Sequence, residues 1–178
     1  MVTVPAFVWR GGFGYRALIL GTAAGVFFGA LAWLDSGLWP AGLCVLVILG
    51  LAFGIVMPRR MNRYWPGAAD LDGPDRVVVV RAARRGQLVA DPRLAGPLAD
   101  YGRGLHAAAA GAKPRRWLVS LVLVGAVALA LWDTVFGSAR DGVASGVYIV
   151  LLLLELFWWP TRQARLLADA DRAAALAL

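Results

Sequence analysis

Residues 17–57 read ALILGTAAGVFFGALAWLDSGLWPAGLCVLVILGLAFGIVM and hold one charged residue, Asp35. Two uninterrupted apolar runs lie on either side of Asp35-Ser36-Gly37, and each approaches the ~20 residues that span a hydrocarbon core. A water-facing helix carries an apolar stripe on one face, whereas these runs are apolar all round, as lipid or a helix bundle requires. The stretch is therefore read as a transmembrane hairpin: a first span from Ala17 to Trp33, a tight turn, and a second span from Leu38 to Met57 ended by Pro58 and Arg59. Two more blocks of the same kind follow at Trp117–Leu131 and Gly142–Trp159, separated by residues 133–141, with Pro160 ending the last. The expected fold is all-α: four transmembrane helices as two hairpins, with a cytoplasmic leader (1–16), hairpin 17–57, a basic helical insert (58–116), hairpin 117–159 and an amphipathic tail (160–178).

Composition agrees. Of 178 residues, 60% are apolar and 16% charged, against about 25% charged in an average soluble domain. Seventeen arginines to one lysine, with abundant Ala and Gly, fit a GC-rich bacterial genome. Net charge is +7, but its placement argues for topology and against a nucleic-acid partner. The two short loops hold one basic residue, Arg140, beside Asp35, Asp133 and Asp141, and every other Arg and Lys lies in the leader, the insert or the tail. Basic residues stay on the cytoplasmic side, so the expectation is a multi-pass protein of a bacterial plasma membrane with both termini inside. Arg10, Arg16 and the run ending Ala30-Leu31-Ala32 also fit a cleavable signal peptide. The parallel ending Ala128-Leu129-Ala130-Leu131 of the third span, deep in the chain, weighs against cleavage.

That parallel belongs to a tandem repeat. Arg16 and a span closing on Trp33 and Asp35 match Arg116 and a span closing on Trp132 and Asp133, and Pro58-x-Arg60-x-x-Arg63 recurs as Pro160-x-Arg162-x-x-Arg165. Both hairpins then enter the bilayer from the same side. In the insert, Asp72-Gly73-Pro74 starts a helix that Gly86 stops after Arg85, and Asp91-Pro92 starts a second one running to about Ala109, with Pro97 a point of kinking. This helical hairpin is too small for much core of its own, and is expected to pack on the membrane end of the bundle or on a partner.

Few residues offer chemistry. Gly21, Gly25 and Gly29, with Gly50 and Gly54 in the second span, stand four apart on helix faces where backbones approach closely; packing within the chain and association with another membrane protein or a second copy are both open. Glu155 is the one acid well inside an apolar block. It marks either a proton or cation path or an ion pair with Arg60 or Arg162, since it lies about 7.5 Å from the helix end at Pro160. Arg81, Arg84 and Arg85 share a helix face suited to anionic lipid headgroups, and Leu166, Leu167, Ala170 and Ala174 give the tail a similar pattern. Asp35 and Asp133, matched by the repeat, read as turn residues near the interfacial Trp33, Trp39 and Trp132 or as a paired acidic site. Cys44 is a lone apolar-block cysteine and His106 has no ligand-spaced companion. No phosphate loop, nucleophile elbow or metalloprotease motif occurs, so no catalytic, cofactor or metal residue is assigned.

The segment Met57–Leu105, with Pro58-Arg-Arg-Met-Asn-Arg-Tyr-Trp-Pro-Gly67, Arg84-Arg85-Gly86 and Asp91-Pro92-x-Leu94-Ala95, resembles small, uncharacterised four-span membrane proteins of actinobacteria. The resemblance implies a membrane location and no activity. The functional expectation is a non-enzymatic accessory or scaffolding subunit acting through helix packing and cytoplasmic contacts, with the lipid bilayer as partner. A small oligomeric transporter or channel with Glu155 in its path is the alternative, and a membrane enzyme ranks behind both.

Overall fold

In the computed structural model the described residues are 4–111 and 139–176, together with Leu121, Val124, Gly125, Val127, Ala128 and Trp132. They are mostly helical with no strand among them, and three helices are long and apolar enough to cross a membrane: Phe13–Ser36 (α1), Trp39–Tyr64 (α2) and the continuous stretch Gly142–Leu176. The expected third span, 117–131, lies largely outside the described residues.

α1 starts four residues before the expected Ala17 and runs past Trp33 through Asp35 and Ser36, so that of the expected turn only Gly37 lies outside the helix. Gly37 adopts φ 74°, a left-handed conformation that only glycine takes at little cost, and its N–H reaches the Trp33 carbonyl. The Ser36 hydroxyl donates to Ala32 O at 2.7 Å and accepts from Leu38 N at 3.2 Å, closing the turn into α2. The two helices then pack backbone to backbone. A Cβ built on Gly21 would stand 2.7 Å from Gly50 O, one on Gly25 2.6 Å from Leu46 O, and one on Gly29 2.8 Å from Gly42 O.

α2 does not stop at Pro58, as the sequence reading has it, but runs six residues further to Tyr64. A proline inside a helix costs about 3 kcal/mol. Carrying the helix past it seats Met61 and Trp65, 0% and 1% exposed, and burying two such side chains contributes about 2 kcal/mol or more apiece. Tertiary burial outweighs the local penalty.

Pro160 likewise does not end the last span. Ala139–Leu153 (α5) passes through a π-helical turn, Leu154–Trp158, into Trp159–Leu176 (α6). The widened turn sits directly before the proline, where a donor is missing. The Trp159 N–H bonds back to Leu154 O, and the Thr161 hydroxyl donates to Trp158 O at 2.8 Å. Thirty-five continuous residues from Gly142 extend about 52 Å, well beyond the ~30 Å hydrocarbon core, so the helix continues past the apolar layer.

It continues into a second body. The insert forms α3 (Gly73–Arg85) and α4 (Ala95–Ala110), with short 3₁₀ turns at Pro66–Asp70 and Pro92–Leu94. α3 is bounded as its punctuation predicts, with Gly86 at φ 62° closing it. Pro97 makes no kink, because α4 begins at Ala95 and the proline falls in its first turn, where no intrahelical donor is needed. The leader folds as a 3₁₀ helix, Ala6–Arg10. Leader, insert and tail share one core: Val8 and Trp9 from the first, Val80, Leu98 and Leu105 from the second, Ala170 and Ala173 from the third. The insert's small core is completed by the chain's own two ends. We call this body, at the end of the hairpin where α1 starts and α2 finishes, the platform.

Candidate functional site

The platform meets the hairpin at Arg16. This residue opens α1, and the leader turns back beneath it so that its guanidinium lies 4.7 Å from the centre of the Trp9 ring. Nε donates to Gly11 O and Nη1 to Asn62 Oδ1, both at 3.0 Å. Arg76 of α3 reaches the same Gly11 carbonyl at 3.4 Å and also donates to Ala68 O. Arg16 is 4% exposed, and its positive charge is met by carbonyl, amide and ring faces with no carboxylate in contact among the described residues.

Below Arg16 three aromatic rings form a cluster. Trp9 and Trp65 stand 5.1 Å apart, Trp65 and Tyr101 4.9 Å, Trp9 and Tyr101 5.9 Å, in tilted and edge-on arrangements that suit ring quadrupoles. Each ring comes from a different segment: the leader, the end of α2 and α4. Trp9 Nε1 and Trp65 Nε1 are buried without a hydrogen-bond partner among the described residues. Burial holds the Tyr101 phenol above its ordinary pKa of 10.0, and the nearby Arg84 guanidinium opposes that rise. Sequence reasoning missed this cluster. Its one local signal was Trp65, a large apolar ring in an otherwise polar stretch.

The structure brings the five glycines together as one seam. Gly21, Gly25 and Gly29 face Gly42, Leu46, Gly50 and Gly54 of the neighbouring helix, so this face of α1 is filled from within the chain. Gly142 and Gly146 of α5 have no neighbour within 4 Å of a built Cβ among the described residues.

The expected basic face divides. Arg81 and Arg85 are exposed, but Arg84 turns inward and donates to Val4 O of the leader. The tail's apolar face is likewise occupied: Ala170 and Ala173 are buried and Leu166 and Leu167 pack against the platform core.

Glu155 lies in the π-helical turn and is exposed. The expected ion pair with Arg60 or Arg162 is not formed. Arg60 lies 5.6 Å over the Tyr64 ring and Arg162 4.6 Å over Trp158, and Glu155 makes no salt bridge among the described residues. A cation held over an aromatic face at the edge of an apolar layer gains its attraction without a carboxylate.

His106 Nε2 contacts Asp171 Oδ1 at 2.7 Å, tying α4 to α6 at the surface. Cys44 is exposed in its span, and Asp35 is exposed at the turn, while Asp133 lies outside the described residues. Among the described residues no group of three His, Cys, Asp or Glu side chains is placed to hold a metal ion. Comparison of the chain with protein-family models, with curated proteins and with solved structures finds no match.

Proposed function

We propose that this chain is a non-enzymatic protein of a bacterial plasma membrane, an accessory or scaffolding subunit that crosses four times and holds its platform on the cytoplasmic side. One observation carries the reading: leader, insert and tail, the three segments expected inside the cell, share a single core at one end of the hairpin. The glycine seam adds to it, because α1 and α2 close on each other as a rigid anchor. What the platform exposes, Arg81 and Arg85 included, is then presented at a fixed height above the lipid.

Reporter fusions after Arg63, Lys113 and Leu178 should report cytoplasm, and those at Gly37 and Ser138 the outside; a cytoplasmic signal at Gly37 overturns the topology. For the role itself, the protein purified in mild detergent should bring a stoichiometric membrane partner that Arg81→Glu with Arg85→Glu releases. A chain that purifies alone and conducts ions in liposomes overturns it.

The position of Glu155 favours a second reading, an oligomeric transporter or channel. An acid in a π-helical turn, with no ionic partner among the described residues, has the unsatisfied charge that a cation or proton path uses.

A further inference from the structure

A cleft of about 340 Å³ opens on the platform between the last turn of α2, the 3₁₀ turn after it and α4. Arg63 and Arg103 line it from opposite elements, with Asp100, Trp65 and Gly67 between them. Arg63 is exposed and makes no hydrogen bond or ion pair among the described residues. Arg103 is paired with Asp100 on its own helix, both ends of the pair lying largely in solvent. Two guanidiniums against one carboxylate leave the cleft with one excess positive charge.

Its inner wall carries a second, independent mark. Trp65 is 1% exposed and its indole N–H has no acceptor among the described residues. Gly67 lies beside that N–H and Asp100: a Cβ there would stand 4.0 Å from Trp65 Nε1 and 3.8 Å from Asp100 Oδ2. A donor withdrawn from water and left unpaired calls for an acceptor, and two arginines favour an acceptor with several oxygens and a negative charge. Height supplies the rest. Arg63 lies in the last turn of α2, six residues past Met57 where the apolar run ends, about 9 Å further along the axis, which puts the cleft within the headgroup layer.

We propose that this cleft is a phosphate site that holds the phosphodiester of a membrane lipid, Arg63 and Arg103 contacting its oxygens, the Trp65 N–H donating to it, and Asp100 receiving an ammonium or hydroxyl of the same headgroup. The site is independent of whether the platform also binds a protein partner.

The test uses the full chain in detergent with ¹⁵N-labelled tryptophan, the Trp65 indole signal being assigned by its loss in Trp65→Phe. Phosphatidylglycerol and phosphatidylethanolamine are titrated in one arm, and glycerol phosphate and inorganic phosphate in the other. Saturable movement of the Trp65 signal with lipid, weakened about tenfold in Arg63→Gln while the other indole signals stay in place, is the expected result. Saturation by inorganic phosphate alone with the same arginine dependence keeps the phosphate site and assigns it a soluble ligand. No movement in either arm, or movement indifferent to Arg63→Gln and Arg103→Gln, overturns the proposal. Gly67→Leu, which fills the cleft from a position exposed to solvent on one side, should abolish the shift with the thermal midpoint unchanged.

Discussion

Arg16 at the start of α1 and Asn62 near the end of α2 are joined by a 3.0 Å hydrogen bond, across the helix ends that the glycine seam does not reach. The bond shares its guanidinium with the Gly11 carbonyl and the Trp9 ring, so one side chain ties both spans to the leader. We expect Arg16→Lys to lower stability by about 2 kcal/mol, since an ammonium cannot serve three directions in a plane, and Arg16→Ala by about 3 to 4. Thermal unfolding in detergent measures both. A lysine variant as stable as wild type would show that charge alone is needed there.

Gly25→Leu should part α1 from α2. The obstacle to a Cβ at Gly25 is backbone, Leu46 O at 2.6 Å and Gly50 Cα at 3.1 Å, which no rotamer change relieves. Overpacking of this kind costs about 1–3 kcal/mol or more. Gly14→Ala, with no neighbour within 4 Å, is the control and should be neutral or slightly stabilising. Equal thermal midpoints for the two variants would contradict the seam.

Tyr101 makes the platform sensitive to alkali. Burial raises its pKa in the folded state above the 10.0 of an exposed phenol, so above that pH the unfolded chain releases a proton that the folded chain keeps. Fewer protons on the unfolded state means that stability falls as pH rises; it is fully present below about pH 10. Tyr101→Phe removes this dependence. The change also removes the hydroxyl that the Arg84 guanidinium approaches, and should cost about 1 kcal/mol at neutral pH. Urea melts at pH 8 and 10.5 compare the two proteins, and an equal pH dependence in both would count against Tyr101.

Glu155→Gln separates the two functional readings. With Arg60 and Arg162 engaged by Tyr64 and Trp158, the substitution should change stability by less than about 0.5 kcal/mol. Double-mutant cycles with either arginine should show coupling near zero. Under the scaffold reading wild-type liposomes carry no flux, and a proton or cation flux abolished by Glu155→Gln establishes transport instead.

Much of the fold was legible because its signals are local. Apolar runs on both sides of Asp35 mark two spans, and Asp72, Gly73, Pro74 and Gly86 bracket α3 through backbone chemistry that depends on few neighbours. The glycine spacing marked a close helix contact, though only the structure supplies the facing residues Gly42 and Leu46. What escaped was decided at long range. Pro58 and Pro160 look like ends, and become interior positions because Met61, Trp65 and Ala170 find burial beyond them. The Glu155 pairing rested on opposite charges at plausible spacing, and spacing does not register that two rings stand closer to those arginines. The aromatic cluster draws Trp9, Trp65 and Tyr101 from positions 9 to 101, and no window of sequence spans them.

The three-part platform core also sets an order of assembly. Ala170 and Ala173 are synthesised after the α3 and α4 residues with which they share a core, so the apolar surface between those helices stays uncovered until α6 follows. Closure by α6 is therefore a late, long-range step, and a chain cut before residue 170 leaves uncovered the surface that the full chain buries.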